Sequence, residues 1–220
     1  MGTAQSDPSI GRREPRYDCA RAGYLRTTTT NRAARASLAA AVAMSESFPR
    51  GAEMATTPRV LGPRDGNMGF LGSMGVRFMV DGSESGGGFS LVEHPMSPRA
   101  LGAPLHRHSR EDEYSYVMEG RIGALLGDYV VEAGPGELIF KPRNQWHTFW
   151  NAGDEPARIL EIISPAGFER YFVELVALGG SRAASPEALR SLGERYGLDV
   201  NPQSITELLE RFRLRIGEPI

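Results

Sequence analysis

The sequence predicts a mainly β domain, a sandwich or barrel of short strands, followed by C-terminal α-helices. Three observations carry this. Between residues 60 and 164, short runs of alternating apolar and polar residues are separated by Gly- and Pro-rich turns, the texture of an all-β sandwich or barrel. After Pro165 the apolar period changes from that of a strand to that of a helix. Before residue 54 there is little of either period.

At 220 residues the chain is one domain, or one domain with appendages, and its 40% hydrophobic content is enough for a core. A net charge of −2 gives no reason to expect nucleic acid or an anionic membrane as partner. No run approaches the ~18 apolar residues of a membrane span. The lone Cys19 leaves neither an internal disulfide nor thiolate zinc chemistry, and a cytoplasmic location is expected. Lys141 is the only lysine among 25 basic residues, which reads as a compositional habit rather than as chemistry.

Taken in order, residues 1–53 carry eight Arg against five acidic residues, while 54–220 carry 17 basic against 22 acidic. With little patterning, 1–53 is expected to be a disordered tail with a short helix at 33–44. Arg32, Arg35 and the run Ser37–Met44 have the flavour of a secretion signal, but the run is short and far from Met1. A plain tail, or an extension upstream of a start at Met44 or Met54, is the simpler reading. The β domain is expected over 54–164. Within it, Met68, Phe70, Leu71 and Met74 sit in a Gly-punctuated loop, either buried or serving as a flap. Strands are expected at Val76–Val80 and Phe89–His94, with Pro95, Pro98 and Pro104 marking a crossing. Further strands are Tyr114–Met118, Arg121–Leu126, Tyr129–Val131, Glu137–Phe140, His147–Asn151 and Ala157–Ser164, and Gly127-Asp128 is a tight hairpin turn.

Residues 165–220 are expected to be a helical segment packing on the barrel. Phe168, Tyr171, Phe172, Leu175 and Leu178 share one face, and Gly179 ends that helix. Ser185-Pro186 opens a second helix ending near Gly197. Ser204 with Glu207 forms a capping box for a third, with Ile205, Leu208, Leu209, Phe212 and Ile216 as its stripe. These stripes suit the barrel exterior or a second copy of the chain, as in a homodimer.

Three of the four histidines fall between Gly102 and Asn151. On an extended segment His106 and His108 point one way and Arg107 the other. Glu113, which follows His108 after four residues, can close on the same point, and a third imidazole, His147, must come from elsewhere in the fold. Three imidazoles and a carboxylate suit a divalent transition metal: iron, manganese, nickel, copper or zinc. The plain alternative is a set of histidines held by core hydrogen bonds. Alternation also places Ser115 and Val117 on the face of Glu113, and Phe149 and Asn151 on the face of His147. Ser115 and Phe149 are thus candidates for a substrate pocket, with barrel packing the equal alternative for Phe149. His94 reads as a surface or structural histidine. Arg107, Arg110, Glu111 and Asp112 read as a solvated rim, and Lys141 and Arg143 as flanking residues able to meet an anionic substrate group.

The stretch resembles the two signature motifs of the cupin superfamily. His106, His108, Glu113 and Gly120 fit the first, with its leading glycine displaced to Gly102. Gly136, Pro142, His147 and Asn151 fit the second, with Asn144 where the family has a glycine; Asn tolerates positive φ, so the turn is expected to be kept. The resemblance implies a double-stranded β-helix, or jelly-roll barrel, with one divalent metal on His106, His108, Glu113 and His147. The small domain is similar to quercetin 2,3-dioxygenase-like cupins. This implies an oxidoreductase, a dioxygenase acting on a small aromatic or enol-type molecule, with Glu113 both ligand and proton acceptor. The same ligands would serve an isomerase or a decarboxylase, or a non-catalytic small-molecule-binding cupin.

Overall fold

A computed structural model describes residues 57–220. The expected tail, 1–53 with its helix at 33–44, lies outside the described residues. The strands are β1 (Met68–Phe70), β2 (Gly75–Val80), β3 (Ser90–Met96), β4 (Ala100–Leu101), β5 (Leu105–His108), β6 (Asp112–Glu119) and β7 (Ile122–Leu126). Then come β8 (Tyr129–Ala133), β9 (Leu138–Lys141), β10 (His147–Asn151) and β11 (Ala157–Ser164). Helices α1 (Glu169–Ala177) and α2 (Pro186–Tyr196) follow, then β12 (Leu198–Asn201), α3 (Ser204–Phe212) and β13 (Arg215–Ile216).

The strands form two sheets. One has six strands in the order β1-β2-β3-β11-β6-β9. The other has seven: β12-β5-β10-β4-β13 in a row, with β7 also on β10 and β8 on β7. Ladders are antiparallel except β13 on β4. This is the mainly β, two-sheet fold with C-terminal helices that the strand pattern predicted.

Period-two burial drives the packing. In β11, Ala157, Ile159, Glu161 and Ile163 are buried and the residues between them are not. Its apolar face meets Val76, Val92, Met96, Val117, Ile122 and Ile139 in one core between the sheets. Strand β10 is buried on both faces. Phe149 enters this core, while Trp150 faces outward under α3, stacked on Phe212 at 4.1 Å between ring centroids. A Cβ at Gly123 would stand 2.3 Å from the Trp150 ring, so glycine admits the indole there.

Several local expectations are corrected. β3 runs through Pro95. The β2 ladder stops at Arg77 opposite Glu93, so the missing N–H of Pro95 interrupts nothing on that side. Met68–Phe70 is an edge strand on β2 rather than a free flap, with Met68 exposed and Leu71 and Met74 buried. Ser185 caps α2, accepting from Ala188 N–H, and Gly197 ends it at φ 67°, as read from the sequence. Ser204, by contrast, is no cap: its hydroxyl accepts from Leu105 N–H at 2.9 Å and donates to Asn201 O at 2.7 Å. α3 ends at Phe212, and Ile216 lies in β13 instead of the helical stripe. The segment after Pro165 was expected to be helical, but it also adds β12 along the outer edge of β5. Short strands closed by tertiary pairing carry no strong local pattern.

Candidate metal centre

Two crossings between the sheets build the site. β5 belongs to the seven-stranded sheet and β6 to the six-stranded one, so His106 and His108 face Glu113 across the gap. The second crossing, from β9 to β10, brings in His147, in register with His106. Asn144 turns this crossing at φ 64°, where the sequence expected a positive φ, and its N–H bonds His108 O at 2.6 Å, tying the two crossings together. The displaced Gly102 also has a packing reason: a Cβ there would stand 2.7 Å from the Phe149 ring.

One donor atom from each of His106, His108, Glu113 and His147 lies within 4.8 Å of the others, and all four residues are buried. His106 Nδ1 bonds Pro104 O at 2.7 Å and His147 Nδ1 bonds Gln145 O at 3.0 Å. Donation to a carbonyl puts the proton on Nδ1 and leaves the Nε2 lone pair free. Nε2 of His108 and of His147 is buried without a hydrogen-bond partner. These atoms lie 3.3 Å from Glu113 Oε1 and 3.4 Å from Glu113 Oε2 respectively. Buried, unsatisfied donor atoms converging with a carboxylate fit a divalent metal better than a self-contained hydrogen-bonded core.

Behind Glu113 stands a set of charges the sequence reading missed. Lys141 is buried and in register with Glu113. Its Nζ lies 2.9 Å from Glu113 Oε2 and 3.0 Å from Glu161 Oε2, and 4.7 Å from the Phe149 ring centroid. The Ser115 hydroxyl donates to Glu161 Oε2 at 2.7 Å. Two signals were present in the sequence. Lys141 is the sole lysine, and Glu161 shares the apolar face of Ile159 and Ile163, where a charge needs a partner. Glu111 is also corrected, from solvated rim to buried, with Oε2 3.9 Å from His108 Nδ1. The rest of the rim stays outside: Arg107 pairs with Asp199 and Arg143 with Asp112.

The electrostatics follow from this packing. Burial, with the neighbouring imidazoles, holds His106 well below its ordinary range, and burial holds His108 down to about 4. Both are therefore neutral, as ligands must be. Burial alone would raise the Glu113 carboxyl, but Lys141, His108 and His147 outweigh it and hold the group well below the usual carboxylate range. Burial would lower Lys141, yet Glu113 and Glu161 together raise it. Burial pushes Glu161 up, against the pull of Lys141, and Glu111 up to about 7.

Ser115 thus serves Glu161, and Phe149 packs in the core under Lys141; both are buried. His94 is buried rather than on the surface. Its Nδ1 bonds Gly75 O at 2.8 Å and its ring meets Phe172 edge-on. Phe168, just before α1, packs edge-on against His108 at 4.3 Å between centroids, so the helical segment reaches the site.

Two facing sheets with three imidazoles and a carboxylate converging between them define a class of β-sandwich proteins whose donor set fits one divalent metal ion. The Cupin domain family profile matches residues 93–163. Over 129 residues the chain is 30% identical to the tetracenomycin polyketide synthase protein TcmJ of Streptomyces glaucescens, covering 58% of this chain and 72% of that protein. The chain belongs to the cupin family. Among solved structures, KdgF from Halomonas sp. is 16% identical with a TM-score of 0.46, covering 52% of this chain and 99% of that one. The polyketide cyclase RemF from Streptomyces resistomycificus is 30% identical with a TM-score of 0.43, covering 49% and 80%. Among the described residues no helix is long and apolar enough to cross a membrane.

Proposed function

We propose that the chain is a metal-dependent cupin enzyme acting on a small enolisable or phenolic molecule, with a dioxygenase reaction as the first reading. The observation that carries it is the convergence of His106, His108, Glu113 and His147, with the Nε2 atoms of two of the imidazoles buried and unpartnered. A divalent metal held there would supply Lewis acidity towards an enolate or phenolate oxygen. The chain's own residues do the rest. The carbonyls of Pro104 and Gln145 fix the tautomers of His106 and His147. Glu113, kept as a carboxylate, accepts the substrate's proton at Oε1, because Oε2 is engaged by Lys141. Phe168, edge-on against His108, limits water there. The substrate class is supported by the relative's description as a polyketide synthase protein, since polyketides are rich in enolisable ketones and phenols.

An isomerase or decarboxylase reaction would use the same residues without oxygen. Metal analysis of protein purified without added metal, followed by oxygen-electrode assays on flavonols, acylphenols and 1,3-diketones, tests the proposal. One bound metal per chain and substrate-dependent oxygen uptake are expected. Turnover without oxygen uptake would replace the dioxygenase with the isomerase or decarboxylase reading. Bound ligand with no turnover would leave a binding protein.

A further inference from the structure

We propose that Lys141 is a positioning residue that locks the Glu113 carboxylate by one oxygen and so limits Glu113 to a single free oxygen, Oε1, in the metal cluster. The inference rests on the metal reading of the four-residue site.

Three observations point this way. First, both Glu113 oxygens face an imidazole, Oε1 at 3.3 Å from His108 Nε2 and Oε2 at 3.4 Å from His147 Nε2, but the Lys141 ammonium contact, at 2.9 Å, falls on Oε2. The two oxygens of one carboxylate therefore carry different loads. Second, Lys141 is itself held from behind by Glu161 at 3.0 Å, and Glu161 by the Ser115 hydroxyl at 2.7 Å. The Phe149 ring lies 4.7 Å from the ammonium. A lysine with an open side could swing; this one has no slack. Third, the only lysine of a chain whose other basic residues are all arginine stands here. A compact ammonium can serve two carboxylates and a ring face from one point, whereas a guanidinium fork is shaped for one planar partner.

A carboxylate free at both oxygens can turn to bind a metal through both. With Oε2 held, Glu113 can bind only through Oε1 and can release only that oxygen to take a proton. Lys141 thus acts through Glu113 and touches neither metal nor substrate.

Cobalt(II) is a suitable probe because its visible spectrum reports coordination. Lys141→Met alone would leave two buried carboxylates uncompensated, so it is paired with Glu161→Gln, which keeps the net charge. The paired variant is expected to fold, to bind cobalt about 10–100-fold more weakly than wild type, and to show a shifted visible band. Glu161→Gln alone keeps the Lys141–Glu113 contact and should keep the wild-type band. In a Glu113→Gln background the paired substitutions should change cobalt affinity no further. A structural role only would weaken both backgrounds equally and overturn the proposal, as would an unchanged band and affinity in the paired variant. If the paired variant does not fold, Lys141→Arg is read by the same titration, and an unchanged spectrum overturns the proposal. Absence of cobalt binding in the wild-type protein would instead sink the metal reading itself.

Discussion

His106, His108, Glu113 and His147 were legible in the sequence because their types and spacing need no knowledge of the fold. Lys141 and Glu161 were not, because their meaning lies in each other. A lone lysine and a glutamate in an apolar strand become informative only once β9 and β11 flank β6. His94 shows the same limit: nothing local distinguishes a buried histidine from an exposed one. Its burial has a measurable consequence. Desolvation, only partly opposed by the bond to Gly75 O, holds its pKa down to about 4, against 6.5 for the free side chain. Between those values the unfolded chain binds the proton and the folded chain does not. Stability attributable to this site is therefore intact above about pH 6.5 and falls as the pH drops towards 4. The total is about 3 kcal/mol. Denaturant unfolding of wild type and His94→Gln at pH 7 and pH 4.5 should show the gap between the two proteins moving in favour of the variant at acid pH. A gap that stays constant would mean that His94 titrates normally.

At the scale of elements, long strands with period-two burial such as β6 and β11 were readable, and so were the three helices. What escaped was pairing: β12, β13 and β4 are short, and only their partners define them. The role of Ser204 turned on this. The spacing of Ser204 and Glu207 fits a capping box, but the hydroxyl serves Leu105 N–H at the start of β5, the strand that carries His106 and His108. Ser204→Ala should therefore speed hydrogen exchange of the Leu105 amide and leave the first turn of α3 unchanged, at a cost of about 1 kcal/mol. Fraying confined to α3 in exchange mass spectrometry would restore the capping role.

For the molecule as a whole, the two-sheet class was predictable because turns, alternation and the change of period near Pro165 all agreed. The core between the sheets and the second cluster around Trp150 and Leu208 are built of apolar side chains, whose burial is a driving force independent of any ion. Chelation should leave the β-sheet circular-dichroism spectrum unchanged and lower stability only by the binding linkage, about 3 kcal/mol at a hundredfold excess of metal over Kd. Loss of the folded spectrum would place the metal among the requirements for folding. We propose that this cupin is an enzyme in which Glu113 both faces the metal and accepts the substrate's proton. The most direct measurement is turnover per bound metal ion in Glu113→Gln against wild type, on the best substrate of the oxygen-electrode screen. Three imidazoles can retain a divalent metal on their own, so the variant should keep part of its metal while turnover per metal falls by about 10²–10⁴-fold. An unchanged rate per metal ion would contradict the claim and leave Glu113 a ligand and nothing more.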